Sequence, residues 1–206
     1  MVGTAETRSG ERLRARRRQR MADEIELAAL RLFAEHGVDA VTVDDIAASA
    51  DISRRTFFRY FASKDDLLHG NPERQREVAL EAVASAPQET TPHALVRRVL
   101  LALTADIEQR REALLLRRRI AEHAPNAMAQ GQHRYSSLVD ALIDAVATRT
   151  HTDPATSLRA NVLVHAGLGA MQGAIRTWFA SGTAGSLYDL AAEALDLIGL
   201  REQVED

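Results

Sequence analysis

T-V-D-D-I-A-A-S-A-D-I-S-R-R-T-F-F-R-Y-F-A-S-K, residues 42–64, decides how this chain folds. Thr42 precedes an apolar-periodic run and has Asp45 three positions on, which reads as a capping box with Asp in the Glu role. The helix it opens buries Val43, Ile46 and Ala47 and stops near Ala50–Asp51. Ser53 offers a second N-cap, so only Asp51 and Ile52 separate two helices, and so short a turn fixes the angle between them. Ser63 opens a third helix, with Asp66 at the capping-box position. The middle helix, from about Arg54 to Tyr60, is too short to be stable alone. Ile52, Phe57 and Phe61 must therefore hold it against its neighbours. Residues 53–64 contain Arg54, Arg55, Arg59 and Lys64 and no acid. Two capped helices around a tight turn, with this positive patch on the second, make a helix-turn-helix suited to the DNA major groove. The plainer alternative is a solvated charged turn, the usual fate of a charge run. The order of cap, turn, aromatic anchor and cap argues against it.

Working outward, Met21–His36 is a helix with Ile25, Leu27, Ala28, Leu30, Leu32 and Phe33 apolar and Gly37 as its C-terminal stop. Before it, residues 8–20 hold seven Arg against one acid, Glu11. Residues 1–19 are expected to be a disordered basic arm, either adding phosphate contacts or serving as a solubilising tail. The net charge of −3 averages this against residues 71–206, where 17 acids outnumber 14 bases. A locally positive field is compatible with a globally acidic chain. Of 26 basic residues only Lys64 is Lys. It lies in the first turn of a helix, where the dipole disfavours a cation.

There are no cysteines, which excludes disulfides and thiolate metal sites. No H-E-x-x-H, Gly-rich phosphate loop or G-x-S-x-G appears, so nothing points to an enzyme, a metal site or a cofactor. No apolar run reaches membrane-spanning length and no secretory signal opens the chain, so a soluble, cytoplasmic protein is expected.

The T-V-D-D-I-A and R-R-T-F-F-R-Y-F-x-S-K segments resemble the DNA-binding domain of TetR-family transcriptional regulators, over roughly residues 20–70. The resemblance implies a first helix packed over the two-helix reader, and a helix from Ser63 leading into a larger ligand domain. It also implies a phosphate contact for Lys64. Two positions depart from the family pattern. Asp51 replaces the usual turn Gly, and Asp tolerates the left-handed conformation better than most residues. Phe58 replaces a frequent Tyr, so the hydroxyl that bonds a phosphate in relatives is missing. The DNA-facing set is Thr42, Arg54, Arg55, Thr56, Phe58, Arg59, Tyr60 and Lys64. Arg54 and Arg55 are assigned to base edges, and Thr42, Thr56, Tyr60 and Lys64 to phosphates.

Residues 71–206 read as helical throughout, with Asn71-Pro72, Thr91-Pro92 and Asp153-Pro154 as helix starts. Helices are expected at about 72–85, 92–109, 112–123, 127–150, 154–180 and 186–198. The fold class is all-α: a three-helix DNA-binding domain, then a larger helical effector-binding and dimerisation domain. The last two helices carry apolar and small-residue stripes assigned to a homodimer interface through Leu187, Leu190, Ala194, Leu195, Ile198, Gly169 and Gly173. Closing the monomer core is the other use for these stripes. Asn161, His165, Leu168 and Gln172 share one face of mixed polarity and, with Arg117 and Arg118, form a candidate effector pocket. Contacts across the dimer interface and surface ion pairs are the competing explanations.

The R-R-R-I segment extends the likeness to a subgroup that includes mycofactocin-linked regulators, which implies an acyl-CoA or another elongated apolar effector. The expected function is a ligand-responsive repressor that binds a palindromic operator in double-stranded DNA as a homodimer. The alternative is a helix-turn-helix regulator controlled by a protein partner, or an activator, with no small-molecule effector.

Overall fold

The computed structural model describes residues 3–124 and 132–201, all of it helix and connecting turns, with no strand among the described residues. We number the helices α1 (Gly3–His36), α2 (Val43–Ser49), α3 (Arg54–Tyr60), α4 (Pro72–Ala84), α5 (Pro92–Gln109), α6 (Arg111–His123), α7 (Gln132–Arg149), α8 (Leu158–Ala180) and α9 (Leu187–Leu197), with a 3-10 helix at Asp65–His69. The chain divides into two compact units, residues 1–71 with 112–131 and residues 72–111 with 132–206.

In the first unit, α1 turns Ile25, Ala29, Leu30 and Phe33 onto Val38, Val41, Ile46, Phe57, Leu67 and Leu68. Ala113 and Ile120 of α6 join the same cluster, so this helix, expected in the larger domain, packs with the reader instead. A polar lock accompanies the apolar contact. Glu26 is 1% exposed and accepts from Nη2 of Arg117, whose Nε also donates to the Leu68 carbonyl at 3.0 Å. Burial pushes the Arg117 guanidinium down to about 10, so it stays charged at neutral pH and neutralises Glu26.

Three helix boundaries depart from expectation. α1 runs from Gly3 through the basic N-terminal stretch, for which a disordered arm was expected. Packing of residues 21–36 already provides the nucleus, and an Arg-rich extension then costs only propagation. The Ser63 box does form, Ser63 N–H donating to Asp66 Oδ2 at 3.0 Å, but it opens only the 3-10 turn. That turn ends at Gly70 with φ +82°, and Pro72 starts α4 afresh. Asp153 does not cap the long helix. Its carboxylate accepts from Ala155 N–H at 3.0 Å within a separate turn, and Ser157 caps α8. The stretch 127–131, expected to begin α7, lies outside the described residues.

The second unit packs α4, α5, α7, α8 and α9 around one apolar cluster. Packing is tight at Gly167, where an added Cβ would lie 2.5 Å from Leu100 Cδ1 and 3.2 Å from both Leu200 Cδ1 and Val96 Cγ1. Arg97 ties α9 to α5, its Nη1 donating to Asp196 Oδ1 at 2.7 Å and to the Leu200 carbonyl at 2.8 Å. The three side chains around Gly167 are each at most 3% exposed, so none can swing into solvent. Gly167→Ala should therefore destabilise the protein by about 1–3 kcal/mol through overpacking, read as a lower midpoint in thermal or denaturant unfolding.

Candidate nucleic-acid interface

Helix α3 has seven residues and cannot hold itself. Phe57, with no exposed surface, pins it to the core and meets Phe58 edge-on at 5.3 Å and Phe61 at 5.8 Å. Ser53 Oγ accepts from Thr56 N–H at 3.1 Å and caps the helix. Asp51 adopts φ +52°, as the Gly-to-Asp departure requires, and the Ile52 N–H closes the turn onto the Ala47 carbonyl at 2.9 Å. Thr42 forms the full capping box of α2: its Oγ1 accepts from Asp45 N–H, while its own N–H donates to Asp45 Oδ2 at 2.8 Å. These Thr42 hydrogen bonds hold the Asp45 carboxyl below the usual carboxylate range.

With Phe57 inward, helical geometry sends Arg55 and Arg59, four residues apart, to the opposite face. Both are exposed. Arg55 makes no hydrogen bond or ion pair among the described residues, and Arg59 lies 5.2 Å over the Tyr60 ring. One flank presents Arg54 and Phe58, both exposed; the other holds Thr56 and Tyr60, half-buried. Thr56 shares a 2.9 Å hydroxyl contact with Ser53. Arg54 is already engaged, its Nη1 donating to Asp44 Oδ2 at 2.8 Å and its guanidinium lying 5.5 Å from the Phe58 ring centroid. Asp44 lies outside the DNA-facing set legible in the sequence, since a carboxylate by itself is repelled by phosphate.

Lys64, assigned to a phosphate, makes contacts within its own chain. Its Nζ donates to the Val38 and Val41 carbonyls, both at 2.8 Å. Two of the three ammonium protons are thus spent on the turn between α1 and α2. Those carbonyls offset the charge at this helix start, and one proton remains to donate.

The residues proposed for an effector pocket are divided between the two units. Arg117 belongs to the first unit and is bound to Glu26; Arg118 Nε donates to Glu122 at 3.0 Å. Asn161 Nδ2 donates to the Ser157 carbonyl at 3.0 Å, at the start of its own helix. His165 and Gln172 are exposed, while Leu168 lies in the core. A narrow cleft in the second unit is lined instead by apolar side chains, among them Val83, Leu95, Val99, Leu142, Val146 and Val164. Nothing beyond apolar periodicity marks them in the sequence.

The interface set also splits. Leu187 and Leu195 are fully buried within their own chain, and Leu190 and Ala194 pack against that core. Gly169, Gly173 and Ile198 remain exposed, joined by Leu158, Val162 and Leu197, exposed by 76%, 54% and 82%.

An all-helical chain with an arginine-faced reader helix on a capped tight turn is a helix-turn-helix DNA-binding protein by construction. Residues 26–70 match the family described as bacterial regulatory proteins, tetR family, and residues 90–202 match the MftR C-terminal domain. The chain belongs to the TetR family of transcriptional regulators, with an MftR-type C-terminal domain. Similarity to individual relatives is shorter. A proposed mycofactocin biosynthesis transcriptional regulator, MftR, of Mycobacterium tuberculosis is 50% identical over 56 residues, 27% of this chain and 28% of that protein. The HTH-type transcriptional regulator TcmR of Streptomyces glaucescens is 41% identical over 64 residues, 31% of this chain and 28% of that protein. The chain thus spans 28% of the length of each of these two curated relatives.

Solved structures share the fold at low identity. The fatty acid degradation regulator FadR of Bacillus halodurans superposes with TM-score 0.61 at 16% identity, covering 89% of this chain and 97% of that one. FadR of Bacillus subtilis, in complex with stearoyl-CoA, gives 0.56 at 17% identity, covering 85% and 96%.

Lys64→Met keeps the length of the side chain and removes its donors. Two half-buried carbonyls lose their partner, at about 1–3 kcal/mol each if water does not replace it. The expected result is a lower melting temperature together with weaker DNA binding. Weaker binding with unchanged stability would instead place Lys64 on a phosphate.

Proposed function

We propose that this chain is a repressor that binds a palindromic operator as a homodimer and is released by an elongated apolar small molecule of the acyl-CoA type. One observation carries the DNA reading: Arg55 and Arg59 stand exposed on the face of α3 opposite Phe57, where a major groove would receive them. Arg55 is assigned to a base edge, with guanine the usual partner, while Tyr60 and Thr56 flank the phosphates. The helical basic stretch of α1 adds positive charge to the same unit.

Dimerisation is supported by the exposed stripe of Leu158, Val162, Gly169 and Gly173 on α8, together with Leu197 and Ile198 at the end of α9. Small residues among large exposed apolar ones suit close packing of two helices from each chain. Two reader helices then address half-sites about 34–36 Å apart. The effector reading is supported by the MftR-type domain and by a fold neighbour holding stearoyl-CoA. Effector binding would shift the population between DNA-competent and incompetent dimers.

Footprinting across the chain's own promoter, with and without acyl-CoAs, tests the whole scheme. Arg55→Ala should cost about 1–3 kcal/mol of operator binding and relax preference at one position per half-site. Uniform weakening on every sequence would reassign it to the backbone. Val162→Glu should give a folded monomer in sedimentation, and an unchanged dimer would move the interface elsewhere. Long-chain acyl-CoAs should raise the melting temperature; no rise at high concentration removes them as effectors.

A further inference from the structure

Asp44 is an exposed acid on the reader for which binding to DNA phosphates gives no reason. It sits in the first turn of α2, where Asp45 already supplies the capping carboxylate. Its side chain is 66% exposed, and so is 59% of the Arg54 side chain it pairs with at 2.8 Å. An ion pair this open contributes little to stability. Placed beside a surface that approaches phosphates, an unpaired carboxylate would repel DNA. Arg54, for its part, lies at the N-terminus of α3, where the helix dipole offers a cation nothing. The α2 dipole favours Asp44 where it stands, so Arg54 alone occupies a poor position.

Together they make sense. Asp44 takes Nη1 of Arg54, and the Phe58 ring lies 5.5 Å from the guanidinium carbon. A long side chain with many rotamers is thereby held on one edge and one face, with Nη2 and Nε left to donate. Two parallel donors from a fixed guanidinium match O6 and N7 of guanine. The Tyr-to-Phe departure at position 58 fits, since a bare ring supports the guanidinium without a competing hydroxyl.

We infer that Asp44 and Arg54 form a single recognition unit, in which Asp44 orients Arg54 toward one guanine in each half-site and penalises DNA that does not engage it. This rests on the DNA-binding reading above. Without Asp44, the guanidinium is free to follow any phosphate, so binding strengthens and discrimination falls. Without Arg54, the carboxylate is left facing DNA.

The test is selection of bound sequences from a random duplex pool, then fluorescence anisotropy on the selected operator and on random DNA at fixed salt. The proteins are wild type, Asp44→Ala, Asp44→Asn, Arg54→Ala and the double Asp44→Ala/Arg54→Ala variant, with melting temperatures confirming folding. Asp44→Ala should bind random DNA severalfold more tightly and lose about tenfold or more in the operator-to-random ratio, with Asn intermediate. Arg54→Ala should weaken both, and removing Asp44 in the double variant should recover random binding, a non-additive cycle. Asp44→Ala and Arg54→Ala should blur the same base position. If the Asp44 variants keep the wild-type preference, or the two single variants blur different positions, the inference is wrong while the regulator reading stands. A wild-type protein that enriches no sequence overturns both.

Discussion

Burial of Phe57 is the constraint on which the DNA-facing surface depends. Seven residues cannot sustain a helix in water, so α3 exists because one aromatic ring is taken wholly into the core of the first unit. That single inward position sets the rotation of the helix. Every other side chain follows from it at one hundred degrees per residue, which puts Arg55 and Arg59 outward and Arg54 and Phe58 on the flank beside α2. An orientation set by packing needs no DNA to form, and a preformed reader avoids ordering costs at the moment of binding.

Polar contacts do a different job in this unit: they locate elements whose apolar surface is too small to do so. The Thr42–Asp45 box sets where α2 begins. Lys64 gathers two carbonyls of the preceding turn and so ties the start of α2 to the 3-10 helix. Glu26 and Arg117 fix α6 against α1, with the Leu67 and Leu68 carbonyls absorbing further guanidinium donors. A buried pair of this kind is weak evidence for net stability, since desolvation offsets much of the attraction. Its consequence is specific register. A helix that follows α5 directly in the chain is held to the reader by a charge pair that tolerates little displacement.

In the second unit, the apolar stripes divided between two uses that sequence periodicity does not separate. Leu187 and Leu195 close the core of their own chain, whereas Leu158, Val162 and Leu197 remain outside. Glycine divided the same way. Gly167 is a contact that no Cβ could enter without moving Leu100, but Gly169 and Gly173 have open space before them. The stripe of small residues thus marks one packed face and one unpacked face of a single helix.

Local chemistry made the reader legible in the sequence. Caps at Thr42 and Ser53, a left-handed Asp51, an aromatic anchor and basic residues between them are interactions among neighbours within about ten positions, so the order of residues suffices to determine them. The same holds for the start of α5, where Thr91 and Pro92 act on the adjacent backbone. What tertiary structure alone decided were partnerships across distance. Lys64 found carbonyls 23 and 26 residues away, and Arg117 found a carboxylate 91 residues away. A charged side chain carries no local record of which opposite charge the fold will bring to it, because that choice belongs to the packing of helices and not to the chain that threads them.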